Sequence, residues 1–445
     1  MNERYIAAVE VSTSKIVVAI GKTKGNGMLD VIAVEHESTA EGGVRYGIIQ
    51  NLEDTSTAVA RLFGRLEQRQ NISPRKIKSV IVGLGGRSLK NITKEVSMSL
   101  PEDTEIDDDI LNRLRDQALH SAIDNTLEVV DAVPKVFKVG NEETSSPKGM
   151  VGNYISGFFD LIVCRPELKR NIRRTIVDKL HLEVDGFVVT AMATGHLILT
   201  PEEKRLGCML VDMGAETTTV TIYQKGALHY FVTIPLGGRN ISRDIASLGV
   251  VDAKAEEIKI TSGNALLENN VPNLLINGLK LSDISNMVAA RSEEIVANII
   301  AQIEYAGIKD SDLQGGIVCI GGGFRLKGLV ELLETESGLS VRRGLLPEYV
   351  RIEDTHASGV EMVEVASVLY AGATLTDKES LKMPERTAMP VNGVLPLETD
   401  DEPEDNKKPE SVPKPKQKSF FEKMGRKLGN FFGGGDEDDS DLLDD

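Results

Sequence analysis

The chain has 445 residues, 51 basic against 68 acidic side chains for a net charge of −17, and 41% hydrophobic residues. This length suggests two to four folded units of about 150 residues each, and the charge argues against general affinity for nucleic acid. No apolar stretch approaches the roughly 18 residues that a membrane-spanning helix needs, since even Phe187 to Leu199 is broken by Thr190, Thr194, Gly195 and His196. Met1 to Lys15 has no basic region ahead of an apolar block, so no secretory signal and a cytosolic location are expected. Cys164, Cys208 and Cys319 lie far apart without metal-ligand spacing, the pattern of buried reduced thiols.

In chain order, β-branched runs predict strands over 5–20 (with a turn inside), 79–84, 184–189, 208–212, 218–223 and 317–320. Longer periodic segments predict helices over 52–70, 166–180, 253–262, 283–306 and 361–373. This alternation is that of an α/β chain with mixed sheets. Residues 376–417 differ: seven prolines and many charges predict a disordered linker. From Glu398 onward 15 acids face 8 bases, a net of −7, so this end is chemically distinct from the rest.

A weak internal repeat organises the folded part. Val9-Glu10-Val11-Ser12-Thr13-Ser14-Lys15 and the strand after it are echoed by Val211-Asp212-Met213-Gly214-Ala215-Glu216-Thr217 and the strand after that. In both, an apolar strand ends in a carboxylate, turns through small and hydroxyl residues, and returns. Such turns expose backbone N–H groups and hydroxyls to a phosphate chain, and a carboxylate beside each can hold the water shell of Mg2+. Ser12, Thr13, Ser14, Lys15, Gly214, Thr217 and Thr218 are therefore candidate phosphate contacts, with Glu10 and Asp212 at the metal through water. A third element, Ile320-Gly321-Gly322-Gly323-Phe324, is a strand end whose glycines allow close approach of a base or phosphate.

With these elements in this order the sequence resembles the actin-like ATPase superfamily, and within it the FtsA family of bacterial cell-division proteins. Val80-Ile81-Val82-Gly83-Leu84-Gly85-Gly86, Pro147-Lys148-Gly149-Met150-Val151-Gly152 and Leu236-Gly237-Gly238-Arg239-Asn240-Ile241 carry the resemblance as well, and the second of these discriminates FtsA-like chains from other actin relatives. It implies an actin-like (ribonuclease H-like duplicated) two-domain fold with an FtsA-type extra subdomain inserted in the first domain. The first domain is expected from 1–84, 165–200 and 362–375, with the insert at 85–164. The second is expected from 201–237 and 308–361, with its small subdomain at 238–307.

The resemblance further implies ATP with Mg2+ in the cleft, bordered by Glu256 and Lys259 of the family's E-x-x-K helix. It also implies actin-like filaments, later division proteins as partners, and tethering of FtsZ to the cytoplasmic face of the membrane at the division septum. The FtsZ contact maps to Arg291 and Glu294. Two departures stand out: Ser12 replaces the usual glycine of the first turn, and 187–194 lacks the Glu, Gln or Asp with which hydrolytic relatives orient a water. Phosphoryl transfer depends on such positioning, so nucleotide binding with slow or absent hydrolysis is expected.

Residues 418–432 read KSFFEKMGRKLGNFF. On a helix, Phe420, Phe421, Met424, Leu428, Phe431 and Phe432 fall within about a 120° arc, while Lys418, Lys423, Arg426 and Lys427 back it against the single Glu422. This is the pattern of a helix lying on anionic lipid. Its burial gain nearly cancels the cost of ordering it, so one copy is expected to bind reversibly and an array firmly. Asp436 to Asp445 then adds seven acids, a solubilising tail or a brake on the anchor. Rival readings are a pilus-assembly adaptor and a small-molecule kinase of the same fold. The kinase is disfavoured by the missing carboxylate in 187–194 and by the amphipathic block.

Overall fold

The computed structural model describes residues 3–24, 27–267, 272–354 and 361–384. Its first sheet has six strands in the order Glu183–Val189, Ser79–Leu84, Arg4–Val11, Lys15–Lys24, Met28–Ser38 and Val350–Ile352. Arg4–Val11 and Lys15–Lys24 form the first hairpin, with Glu10 opposite Val17, and Arg4–Val11 runs parallel to Ser79–Leu84, with Glu10 beside Gly83. Ile6, Ala7, Ala8 and Val9 are fully buried, the continuous apolar run of a strand covered on both faces. Helix Leu52–Gln68 packs on Lys15–Lys24 and Met28–Ser38, and helix Glu361–Leu375 packs on Arg4–Val11, Lys15–Lys24 and Ser79–Leu84. The former starts where Asn51 accepts the Glu53 and Asp54 amides, and it buries the stripe Val59, Leu62, Phe63 and Leu66.

The second sheet has nine strands, of which Ala227–Ile234, Thr218–Gln224, Cys208–Met213, Ile317–Ile320 and Val341–Arg343 form the second lobe. Asp212 lies opposite Thr219 across the second hairpin and beside Ile320 on the parallel neighbour. Each lobe therefore ends a strand in a carboxylate, between an antiparallel partner and a parallel one. The weak repeat in the sequence is a structural duplication.

Helices Gly238–Ala246, Asp252–Ser262 and Leu281–Tyr305 pack around Ile241, Ile245, Ile258, Ile284, Val288 and Ile295 and share the core of the second lobe. Burial pushes the free thiols of Cys164, Cys208 and Cys319 up to about 12.

The remaining four strands of that sheet are Lys90–Glu105, Glu128–Val139, Glu142–Thr144 and Val151–Cys164. With helix Asp108–Leu119 they enclose a separate core of Leu114, Ile155, Phe159 and Leu161. The sheet continues from Lys90–Glu105 into the second lobe through the strand pairing of Lys90 with Val232. The sequence pattern did not predict these strands, because one like Lys90–Glu105 is half exposed along its length and mixes Lys94, Glu95, Ser97 and Ser99 among its apolar residues.

Other elements differ from the sequence reading. The helix expected over 166–180 is α-helical from Pro166 to Arg173 and widens to a π-turn over Arg174–Lys179. Residues Thr190–Ile198 form a helix rather than a plain connection. Val350–Ile352, expected in the second domain, pairs in parallel with Met28–Ser38 of the first sheet, so the chain crosses back before 350 rather than after 361. Asp354 secures that return by accepting from the Val34 amide and the Arg69 guanidinium.

Residues 376–384, expected at the start of the linker, dock on the first lobe instead. Leu381 pairs with Ile77, the Ser380 amide donates to Tyr5 O at 2.9 Å, and Leu381 is buried. Arg4, which donates to Thr376 O, and Glu379, which accepts the Tyr5 amide at 3.2 Å, help the buried leucine to dock this polar segment. The rest of the expected linker, the amphipathic block 418–432 and the acidic run 433–445 lie outside the described residues.

Candidate functional site

The two hairpin turns open into one cleft of about 1190 Å³ between the lobes. In the first turn the Ser12 amide and hydroxyl both donate to Lys15 O at 2.9 Å, and Thr39 Oγ1 donates to Ser12 O at 2.9 Å. The serine that replaces the expected glycine thus closes its own turn instead of projecting at a ligand. Ser12, Thr13, Ser14 and Lys15 all line the cleft.

In the second turn the Gly214 amide donates to Thr217 O at 2.8 Å, and the Gly238 and Arg239 amides dock helix Gly238–Ala246 on Gly214 O and Ala215 O. A Cβ on Gly237 would sit 2.6 Å from Ala215 O and 2.7 Å from Gly214 O, so only glycine permits this approach. Gly214 and Thr217 line the cleft, but Thr218 does not: it is fully buried and donates to Leu236 O at 2.8 Å. Side chains alternate along a strand, and Thr219 is the residue that faces the cleft.

The glycine-rich element divides in the same way. Gly322 and Gly323 line the cleft with Arg325, Leu326 and Lys327, whereas Phe324 is packed in the core of the second lobe. Gly321 has φ +90°, and a Cβ there would lie 2.6 Å from Asp212 Oδ1, so it positions the aspartate without lining the cavity. Glu256 and Lys259 both line the cleft and pair at 2.7 Å; Ser242 Oγ donates to Glu256, and Lys259 Nζ to Gly238 O at 3.1 Å. The pair pins the helix Asp252–Ser262 to the helix Gly238–Ala246.

Glu10 and Asp212 meet at the floor. Burial, then the charge of Glu364, then that of Asp212, push the Glu10 carboxyl up to about 8 against the opposing pull of Lys15 and Thr190. Burial and then Glu364 push Asp212 up to about 8 as well, again against Lys15. Glu10 Oε2 is buried without a hydrogen-bond partner. Among the described residues no three His, Cys, Asp or Glu are grouped closely enough to hold an ion directly. A buried, unpartnered carboxylate oxygen beside a second carboxylate fits a hydrated divalent cation held through its waters.

Two residues of the cleft escaped the sequence reading. Glu364, on helix Glu361–Leu375, places its carboxylate 3.6 Å from Lys15 Nζ; the signal was a lone acid in the apolar run Met362-Val363-Glu364-Val365-Ala366. Glu216, at the tip of the second turn, accepts the Tyr46 amide of the first lobe at 3.0 Å and pairs with Arg239 at 3.2 Å and Arg243 at 3.0 Å. Arg291 and Glu294 stand apart from the cleft. Arg291 is held by Asp244 through bonds of 2.6 and 3.1 Å and also pairs with Glu294, so the R-x-x-E pattern is part of an internal staple between two helices.

The family model described as cell division protein FtsA matches residues 209–369, and that of the SHS2 domain inserted in FtsA matches residues 86–163, together more than half of the chain. The chain belongs to the FtsA family. Curated FtsA relatives include that of Pseudomonas aeruginosa, 26% identical with 85% of this chain and 92% of the relative covered, and that of Bacillus subtilis, 27% identical with 82% and 84% covered. Among solved structures, the PilM-PilN type IV pilus biogenesis complex superposes with a TM-score of 0.57 at 16% identity, covering 82% of this chain and 97% of that one. This FtsA family chain has the actin-like fold, and its four-stranded insert is the SHS2 domain. No helix among its described residues is long and apolar enough to cross a membrane.

Proposed function

We propose that the chain binds ATP with Mg2+ between its lobes, assembles into actin-like filaments, and tethers FtsZ to anionic lipid on the cytoplasmic face of the membrane at the division septum, where later division proteins join it. The observation that carries the nucleotide reading is the convergence of Ser12–Lys15, Gly214–Thr217 and Gly322–Gly323 on one cavity whose floor holds Glu10 and Asp212. The turns offer amides and hydroxyls to phosphates from two sides, and Mg2+, held through water, would neutralise phosphate charge against the two carboxylates. Hydrolysis is slow or absent, because Thr190 and Ala191 stand at the cleft wall where a carboxylate or amide would orient water.

The tether rests on family membership and on the apolar stripe and basic back of Lys418 to Phe432. Liposome flotation with and without Lys418 to Phe432, in the presence of FtsZ, tests it: the full chain floats and carries FtsZ upward, and the shortened chain does neither. Flotation that survives the deletion overturns the anchor, and a full chain that floats without FtsZ overturns the tether. The likeness in fold to the PilM-PilN complex keeps a second reading, a pilus-assembly adaptor that binds a membrane partner's peptide rather than lipid; it predicts no flotation on protein-free vesicles.

A further inference from the structure

Beside the cleft mouth, separate from both phosphate turns, lies a second cavity of about 490 Å³ lined by Arg45, Tyr46, Ile48, Gln50, Arg87, Ser88 and Arg165. Three arginines and no acid line it, in a chain whose net charge is −17. Arg87 and Arg165 make no ion pair among the described residues, and Arg45 reaches Glu216 only at 4.0 Å, a carboxylate already shared by Arg239 and Arg243. The guanidinium groups of Arg45 and Arg87, both exposed, lie 5.8 and 5.5 Å from the Tyr46 ring centroid, a contact that favours holding them beside the pocket. Ser88 Oγ is buried without a partner, and Arg165 leads into the helix Pro166–Arg173, whose N-terminus favours negative charge. Guanidinium groups held in this way suit several carboxylates presented in succession.

We propose that this pocket docks the acidic segment Asp436 to Asp445 of the same chain. That segment reads DEDDSDLLDD, with seven acids, no base and no bulky aromatic residue. The 51 residues between 384 and 436 can span at most about 170 Å, whereas a folded body of this size has a radius of gyration of roughly 20 Å, so the segment reaches any face. Only Gly433-Gly434-Gly435 separates it from the basic apolar block Lys418 to Phe432, so a docked tail draws that block toward the protein and away from lipid. Arg45 lines both the pocket and the main cleft, which places the docked acids beside the Glu216 contact between the lobes.

The test uses the full chain with Ser440→Cys carrying a fluorophore, since the three native thiols are buried. At low salt the label's anisotropy is high, and in Arg87→Glu plus Arg165→Glu it falls to the value reached by the parent chain at high salt. Adding Asp438→Lys, Asp439→Lys and Asp441→Lys to that charge-reversed chain restores it. Arg87→Gln plus Arg165→Gln gives the same fall if the double reversal does not fold. Equal anisotropy in parent and arginine variants overturns the proposal, as does binding of inorganic phosphate at these arginines with the label free throughout. The readout needs neither nucleotide nor lipid, so its failure is distinct from failure of the cleft or tether readings.

Discussion

Lys15 and Glu364 face each other at 3.6 Å on the floor of the cleft, the lysine from the first phosphate turn and the carboxylate from a helix near the far end of the described chain. The pair occupies the cation that a phosphate chain would use, and Glu364 adds a third negative group to Glu10 and Asp212. Replacing it by Gln keeps the shape and removes the competing charge. Glu364→Gln is expected to tighten ATP binding about tenfold, or about 1.4 kcal/mol, with the larger gain when Mg2+ is withheld. Titration with a fluorescent ATP analogue checks this; weaker binding would mean that Glu364 helps to hold the cation.

The raised carboxyls of Glu10 and Asp212 make the stability of the nucleotide-free protein depend on pH. Their ordinary values are 4.5 and 3.8, and both are pushed up to about 8 by burial and by Glu364. Between about pH 4 and 8 the folded chain therefore binds more protons at these sites than the unfolded one, and stability falls as pH rises through this window. Thermal unfolding between pH 5.5 and 7.5 is expected to show a smaller decline in Glu10→Gln than in the parent. Added Mg2+ should flatten the decline, since it favours the charged forms. Identical slopes in parent and variant would count against the buried pair.

Glu216 ties the lobes through the Tyr46 amide and gathers Arg239 and Arg243 at 3.0 to 3.2 Å while almost wholly buried. Removing the buried carboxylate breaks its charge-assisted hydrogen bonds to the Tyr46 amide and to two arginines that are themselves a third or more exposed and stay solvated, at a cost of roughly 1.5 to 3 kcal/mol. Glu216→Ala is expected to lose stability on that scale in denaturant melts. It should also make the 40–50 loop more open to protease, because Tyr46 no longer has an acceptor across the cleft.

Arg291 is read by sequence as a partner residue and by structure as a staple to Asp244. Arg291→Glu should therefore weaken the small helical unit as well as any FtsZ contact. Pairing it with Asp244→Arg separates the two effects: melting temperature recovers in the double variant. FtsZ co-sedimentation that recovers with it marks Arg291 as purely structural, and co-sedimentation that stays lost marks it as a contact.

Local chemistry was enough to read much of this chain. Strands 79–84 and 317–320 were legible because each is a short apolar run between turn residues, and the matched carboxylate-ended hairpins at Glu10 and Asp212 exposed the duplication and the cleft. Register and long-range packing were not legible. Which face Thr218 takes, that Phe324 turns into a core, that Val350–Ile352 returns to the first sheet, and that Glu364 and Glu216 meet groups hundreds of residues or a whole lobe away are decided by pairing and burial between segments that no local window contains. A short motif states which chemistry is available, and only the packed chain decides which side chains are left facing the cleft to perform it.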